Sequence, residues 1–344
     1  MIGIELAERG LLPDALTRVG IRARLKHTLQ EVSEANAHLD QVRKESWIQE
    51  LRQSPIALVP EKANEQHYEL PPEFFELVLG KHLKYSSAYW RKSKMGLDEA
   101  EASMLKLSCE RAELKNGQHV LELGCGWGSL SLWMAEHYPE SHILAVSNSK
   151  DQRKFIMSKA QSLGLTNIEV QTVDMNNFIT ERQFDRVVSI EMFEHMRNYE
   201  LLMNHISSWL VPGGKLFVHI FTHDHIAYPY VDNGPKDWMT RFFFTGGQMP
   251  SHDLLPQFSP DDLKHERSWK VDGNHYRKTS RAWLKKMDAS KPAILAIFKE
   301  TYGSHQAGIW FQRWRLFFMA CEELFGFQNG TEWYVSHYLF EKNN

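Results

Sequence analysis

Cysteine is scarce: only Cys109, Cys125 and Cys321 occur in 344 residues. An odd number at wide spacing excludes a disulfide framework and leads us to expect reduced thiols in a cytoplasmic protein. No apolar run reaches about 18 residues, so no transmembrane helix and no stable membrane insertion are expected. The first residues include Glu5 and Glu8 and lack the basic-then-apolar order of a secretory leader, so export is not expected either. An excess of one charge is also missing, since 40 Lys+Arg stand against 43 Asp+Glu for a net charge of -3. That balance argues against a nucleic-acid partner, which normally selects a clearly basic domain. Glycine is absent between Gly20 and Gly80, and residues 1 to about 60 read as polar amphipathic helix up to Pro55 and Pro60. Aromatic side chains, in contrast, are plentiful, with 11 Trp and 19 Phe. They suit a core or a pocket for a flat or greasy substrate. The 42% hydrophobic content is enough for one large core or two modest ones and leaves a homodimer open.

The most informative stretch is Val120-Leu121-Glu122-Leu123-Gly124-Cys125-Gly126-Trp127-Gly128. An apolar run, three glycines two apart and an amphipathic run describe a buried parallel strand, a tight turn and a helix start. Such a turn brings bare backbone against a nucleotide-like ligand. A Cβ there would obstruct both the turn and the close approach. The spacing Gly-x-Gly-x-Gly, in place of Gly-x-Gly-x-x-Gly, favours S-adenosylmethionine over a nicotinamide cofactor.

From His119 onward, strands and helices alternate. Strands are predicted at 119–123, 143–147, 168–172, 184–190 and 215–220, with helices at 129–137, 150–163 and 199–210. This order predicts an α/β, Rossmann-like, doubly wound, mostly parallel sheet. Residues 1–96 are expected to form an N-terminal helical extension or cap. Residues 97–344 form the main domain, with a helical insertion over about 225–325 that includes a helix at 307–325. A closing strand is predicted at 333–341.

Ligands of such sheets sit at the carboxyl ends of the strands. Three further loops therefore matter: Ser147-Asn148-Ser149 with Gln152, Asp174-Met175, and the end of the fourth strand at Ile190. Asp174 reads equally as an adenosine partner and as a helix cap. Asn148 stands where many nucleoside-binding folds carry a ribose-holding acid. Tyr85-Ser86 are in a position to reach over the glycine turn. Directly after the fourth strand comes Glu191-Met192-Phe193-Glu194-His195. On a helix, Glu191, Glu194 and His195 would share one face at i, i+3 and i+4. A carboxylate beside an imidazole orients the ring and raises its basicity, which suits general-base work. His219, His223, Asp224 and His225 are read as loop and strand histidines with no metal, because no zinc-ligand spacing joins them. Cys125 is read as a small residue that fits its turn.

Taken together, these motifs resemble class I S-adenosylmethionine methyltransferases. More narrowly they resemble the coclaurine N-methyltransferase-like branch of the cyclopropane-fatty-acyl-phospholipid synthase family, from about His67-Tyr68 to the C-terminus. The resemblance includes Asp237-Trp238-Met239-Thr240, Phe244-Thr245-Gly246-Gly247, Tyr276 with Trp283, and Glu332-Trp333. It implies S-adenosylmethionine as cofactor, bound by Tyr85, Ser86, Glu122, Gly124, Gly126, Asn148, Gln152, Asp174, Met175 and Ile190. It further implies N-methylation of a small, aromatic or alkaloid-like amine, with Glu191, Glu194 and His195 catalytic. Glu191 supports the amine branch, because lipid cyclopropane synthases typically have glycine there. Cys125, Glu194, His219 and Tyr276 match positions that the resemblance associates with bicarbonate binding in those synthases. Methyl transfer to unsaturated lipid chains is therefore the alternative, and a non-catalytic S-adenosylmethionine-binding protein is the second.

Overall fold

In the computed structural model, residues 2–32, 37–58, 70–234 and 236–344 are described. The expected helix break at Pro60 and the start of the resemblance at His67-Tyr68 lie outside the described residues.

The centre is a seven-stranded sheet in the order β3-β2-β1-β4-β5-β9-β8. Its strands are β1 (His119–Leu123), β2 (His142–Ser147), β3 (Ile168–Thr172), β4 (Phe184–Ile190), β5 (Leu210–His223), β8 (Leu263–Val271) and β9 (Trp333–Lys342). Strands β1 to β5 pair in parallel, whereas β5, β9 and β8 pair antiparallel. Of the parallel strands, β1, β2, β4 and β5 are buried on both faces, whereas the edge strand β3 exposes Glu169. Leu121, Leu144, Val187 and Leu216 enter one core, while Val120, Ile143, Val188 and Phe217 enter the other. Continuous apolar runs of this kind mark strands covered by helices on both sides. The covers are α5 (Leu97–Arg111), α6 (Ser129–His137) and α7 (Lys150–Ser162) on one face and α8 (Tyr199–Trp209) on the other. The chain reverses direction across the sheet between β1 and β4, and a ligand crevice opens at such a switch point.

The expected helical insertion over about 225–325 also holds strands. Strand β8 lies there and forms the sheet's edge against β9. Of its nine residues only Leu263 and Val271 are buried; Lys264, Glu266, Arg267 and Lys270 lie between them. Charge along an edge strand blocks pairing with other molecules, and that same charge removes the apolar alternation by which a strand is read. The rest of the segment holds a short hairpin, β6 (Tyr228–Pro229) with β7 (Gln248–Met249), a short helix α9 (Trp238–Phe242), and α10 (Gly273–Ala289), α11 (Lys291–Tyr302) and α12 (Ala307–Phe325).

The N-terminal helices α1 (Ile2–Glu8), α2 (Asp14–Val32), α3 (Ala37–Gln53) and α4 (Pro72–Val78) pack onto this body in two places. Val32, Phe74 and Phe75 join Phe243, Trp314 and Phe317 in one aromatic cluster. Arg18 fastens α2 to α12 through Glu322 and Glu323 at 2.8 and 2.7 Å. On the other side, Trp47, Ile48 and Leu51 of α3 pack with Met196, Tyr199 and Leu202.

Candidate active site

Two clefts meet at the glycine turn after β1. The first, of about 740 Å³, is lined by Gly124, Gly126, Asn148, Gln152, Asp174, Met175, Glu191 and His195 among others. The second, of about 550 Å³, is lined by Lys84, Tyr85, Ser86, Glu122, Gly124, Gly126, Ile190 and Glu191 among others. All ten residues expected to hold the cofactor therefore line one cleft or the other. Gly124, Gly126 and Glu191 line both.

Local sequence explains these placements. The turn closes because the Gly124 and Cys125 amides both donate to the Val146 carbonyl at 3.0 Å. Gly124 has φ +76°, and a Cβ there would lie 2.6 Å from Met192 Cγ. The first obstruction such a Cβ meets is the protein's own Met192. Beyond β2, Ser149 caps α7 by accepting from the Gln152 amide at 3.3 Å. Ser147 Oγ donates to Gln152 Oε1 at 2.6 Å. Gln152 Nε2 is buried without a partner among the described residues, as is Ser129 Oγ at the wall of the second cleft. Orphaned buried donors facing a cleft are the mark of an absent polar ligand. They fit the adenosyl and methionine ends of S-adenosylmethionine.

Lys84 was not singled out in the sequence, where a lysine in a loop reads as solvated. It is buried, its Nζ donates to Ser86 Oγ, and it feels the charges of Glu191, Glu101 and Glu122. Burial pulls its ammonium down to about 8, while burial lifts Glu122, which accepts from Ser131 Oγ, to about 8. The signs follow by linkage. Glu122 takes up a proton on folding between about 4.5 and 8, so its contribution to stability declines as pH rises through that window. We expect Glu122→Gln to raise Tm at pH 8 and to lose that advantage near pH 4.5, as read by scanning fluorimetry. A constant Tm difference across the range would contradict this.

Glu191 lies just past β4 with φ +47°, in the left-handed region that a non-glycine residue seldom occupies. Only Phe193–His195 then forms a single 3-10 turn. The expected shared helical face of Glu191, Glu194 and His195 is therefore not realised, because the chain turns out of the strand before a helix can form. Glu191 and His195 still meet at the wall of the first cleft. Glu194 lines neither cleft; its Oε2 is buried with no partner among the described residues.

Donors converge on Glu191. The Ser87 amide (3.2 Å) and His219 Nε2 (3.2 Å) reach Oε1, and the Tyr276 hydroxyl donates to Oε2 at 2.7 Å. Burial raises the Glu191 carboxyl above its ordinary value, opposed chiefly by the Lys84 charge and the Tyr276 hydrogen bond. Glu194 is pushed well up by burial and then by the Glu191 charge. The expected rise in His195 basicity is not realised: burial outweighs the Glu191 charge and pulls the imidazole down to about 4, so it is neutral near neutral pH.

Covering segments complete the site. Ala57 lines the first cleft and exchanges hydrogen bonds with Asn176 at 2.9 and 3.0 Å. Arg197 donates to the Gly246 and Gly247 carbonyls while lying 4.8 Å over Trp47. His223 and Asp224 are committed elsewhere: His223 Nδ1 accepts the His225 and Ile226 amides, and Asp224 pairs with Lys270 and Tyr334. Cys125 is buried and its thiol is pushed well up by burial, which fits an inert packing residue.

The mycolic acid cyclopropane synthetase family matches residues 59–333. (S)-Coclaurine N-methyltransferase of Thalictrum flavum subsp. glaucum is 37% identical over 97% of this chain and 94% of its own. Cyclopropane-fatty-acyl-phospholipid synthase of Escherichia coli K12 is 29% identical over 83% of this chain and 69% of its own. A crystal structure of coclaurine N-methyltransferase bound to N-methylheliamine and SAH is 36% identical and superposes with a TM-score of 0.94, covering 98% of each chain. The chain thus belongs to the mycolic acid cyclopropane synthetase family and is an S-adenosylmethionine-dependent methyltransferase of class I fold.

Proposed function

We propose that the protein N-methylates a small, aromatic or alkaloid-like amine. The observation that carries this reading is the pairing of Glu191 and His195 at one cleft wall, beside a glycine turn built for the cofactor. When bound, S-adenosylmethionine supplies an electrophilic methyl group. Gly124, Gly126, Asn148, Gln152, Asp174, Met175 and Ile190 would hold it, together with Tyr85, Ser86, Lys84 and Glu122.

The chain's own residues must attract the amine and then free its lone pair. An alkylamine is mostly protonated near neutral pH. Glu191, held by three donors, offers a fixed anion for the ammonium. Glu194, whose carboxyl burial pushes well up, stands behind it, and neutral His195 accepts the proton. Orientation alone can supply about 7–11 kcal/mol of a bimolecular barrier. Residues 1–96 then act as a cap and parts of 225–325 as a substrate cover, helped by aromatic walls such as Phe244, which stacks on His195 at 6.0 Å.

Relatives 35–37% identical to this chain include coclaurine, pavine and tetrahydroprotoberberine N-methyltransferases, which supports the amine acceptor. The lipid alternative needs His219 and Tyr276 available for a small anion; here His219 Nε2 lies 3.2 Å from Glu191 Oε1 and the Tyr276 hydroxyl donates to Oε2. Among the described residues no helix is long and apolar enough to cross a membrane. Three buried free thiols fit a reducing, cytoplasmic setting. The test is S-adenosylhomocysteine release with secondary aromatic amines and, in parallel, with unsaturated phospholipid vesicles plus bicarbonate. Release with amines alone is expected, and release with vesicles alone would replace this reading.

A further inference from the structure

Behind Glu191, hydrogen bonds run across the sheet to the protein's rim. Strand register places His219 of β5 beside Ile190 of β4 on one side and His337 of β9 on the other. Trp269 of β8 stands opposite His337 and carries the Arg111 guanidinium 4.9 Å above its ring. Arg111 Nη1 lies 2.8 Å from His337 Nδ1, and His337 Nε2 lies 2.9 Å from His219 Nδ1. His219 Nε2 lies 3.2 Å from Glu191 Oε1. Both imidazoles are fully buried.

The chemistry of the first link fixes the others. A guanidinium only donates, so His337 Nδ1 must be bare. The neutral His337 ring then carries its proton on Nε2 and donates it to His219 Nδ1, which must be bare in turn. The His219 proton therefore sits on Nε2 and is given to Glu191. A second proton on His219 would set N–H against N–H, so the ring cannot become cationic without breaking the series. We propose that Arg111 and His337 are positioning residues that hold His219 neutral and donating, so that Glu191 keeps its full negative charge for a cationic reaction centre. This role rests on the amine-methylating reading of the site.

A cationic His219 would neutralise Glu191 and repel both an ammonium and a sulfonium. Its other charged and titratable neighbours are consistent with neutrality. Lys84 and Arg111 lower both histidines further after burial has done so. Around Glu191 stand Lys84, Glu194, His195, Tyr276 and Cys321, and around Arg111 stand Tyr89 and Glu110.

Two measurements test the proposal. In the histidine-¹⁵N-labelled wild-type protein, two-bond proton–nitrogen spectra read the tautomers without any substrate. Protons on Nε2 of both His219 and His337 from pH 5.5 to 8 are expected. A proton on either Nδ1, or titration of His219 within that range, overturns the assignment even if amine methylation holds. The second measurement is the pH profile of kcat/KM for Arg111→Leu. Without the guanidinium, only burial and the remaining neighbours oppose a second proton on the His337 and His219 rings. We therefore expect a loss of kcat/KM relative to wild type that deepens as pH is lowered to 5.5 and is smallest at pH 8.5, unchanged S-adenosylhomocysteine affinity, and recovery in Arg111→Lys. A uniform loss at all pH values would make Arg111 merely structural and overturn the role. Total loss of amine turnover in the wild type, with tautomers as expected, would sink the functional reading and leave the hydrogen-bond series standing.

Discussion

Turnover of the Glu194→Ala, His195→Ala double variant is expected to fall about 10²–10⁴-fold, the usual scale for loss of a general base. His195 is buried, pulled down to about 4 and therefore neutral at the pH where an alkylamine is protonated. A neutral imidazole at the cleft wall can take the proton that an ammonium must shed before it attacks. Glu194 adds an uncompensated buried oxygen close behind. Neither residue was needed to explain the orphaned Gln152 and Ser129 groups, so binding of S-adenosylhomocysteine should survive the double change. Calorimetry and single-turnover rates separate the two effects. If affinity for S-adenosylhomocysteine and Tm fall in step with turnover, the residues hold the fold instead of moving a proton.

Gly124→Val should be the most damaging single change at the cofactor site. Two costs add there. The backbone φ of +76° is one that a β-branched residue seldom adopts, and the new Cβ would lie 2.6 and 2.7 Å from Met192 Cγ and Cβ. Left-handed backbone alone costs an ordinary residue about 1–2 kcal/mol. Met192 is buried between Glu191 and Phe193, so relief of the clash would drag the catalytic turn with it. We expect affinity for S-adenosylhomocysteine to fall at least about a hundredfold, or about 2.7 kcal/mol, with a lowered Tm. Gly126 provides the contrast: its φ is +52°, but a Cβ there meets nothing within 4 Å. Gly126→Ala should therefore keep more binding than Gly124→Val; equal affinities would contradict the Met192 contact as the cause.

Much of this architecture is legible in the sequence, for identifiable reasons. Strands β1 and β4 lie where expected because a strand buried on both faces tolerates few polar residues, and β3 because buried Ile168 and Val170 alternate with exposed Glu169. The cofactor loops follow from the same order, since each lies at a strand's carboxyl end. Strand β8 is not legible, because its exposed edge is charged. Nor is the conformation of Glu191, whose left-handed φ is imposed by the surrounding fold and breaks the expected helical face. Lys84 and His337 are missed for a third reason. Their environment comes from segments distant in the chain, and a lone lysine or histidine carries no local mark of burial. His219 is visible as a residue, yet its partners His337 and Glu191 are set by strand register alone.

Delivery of the methyl group to nitrogen is what separates an amine acceptor from a lipid one. The direct measurement is transfer from S-adenosylmethionine carrying a ¹³C-labelled methyl group to a secondary aromatic amine, followed by carbon NMR. A labelled N-methyl resonance growing with enzyme and time is the expected result. Label appearing only in the ring carbons of cyclopropanated lipid, with none on nitrogen, would contradict it.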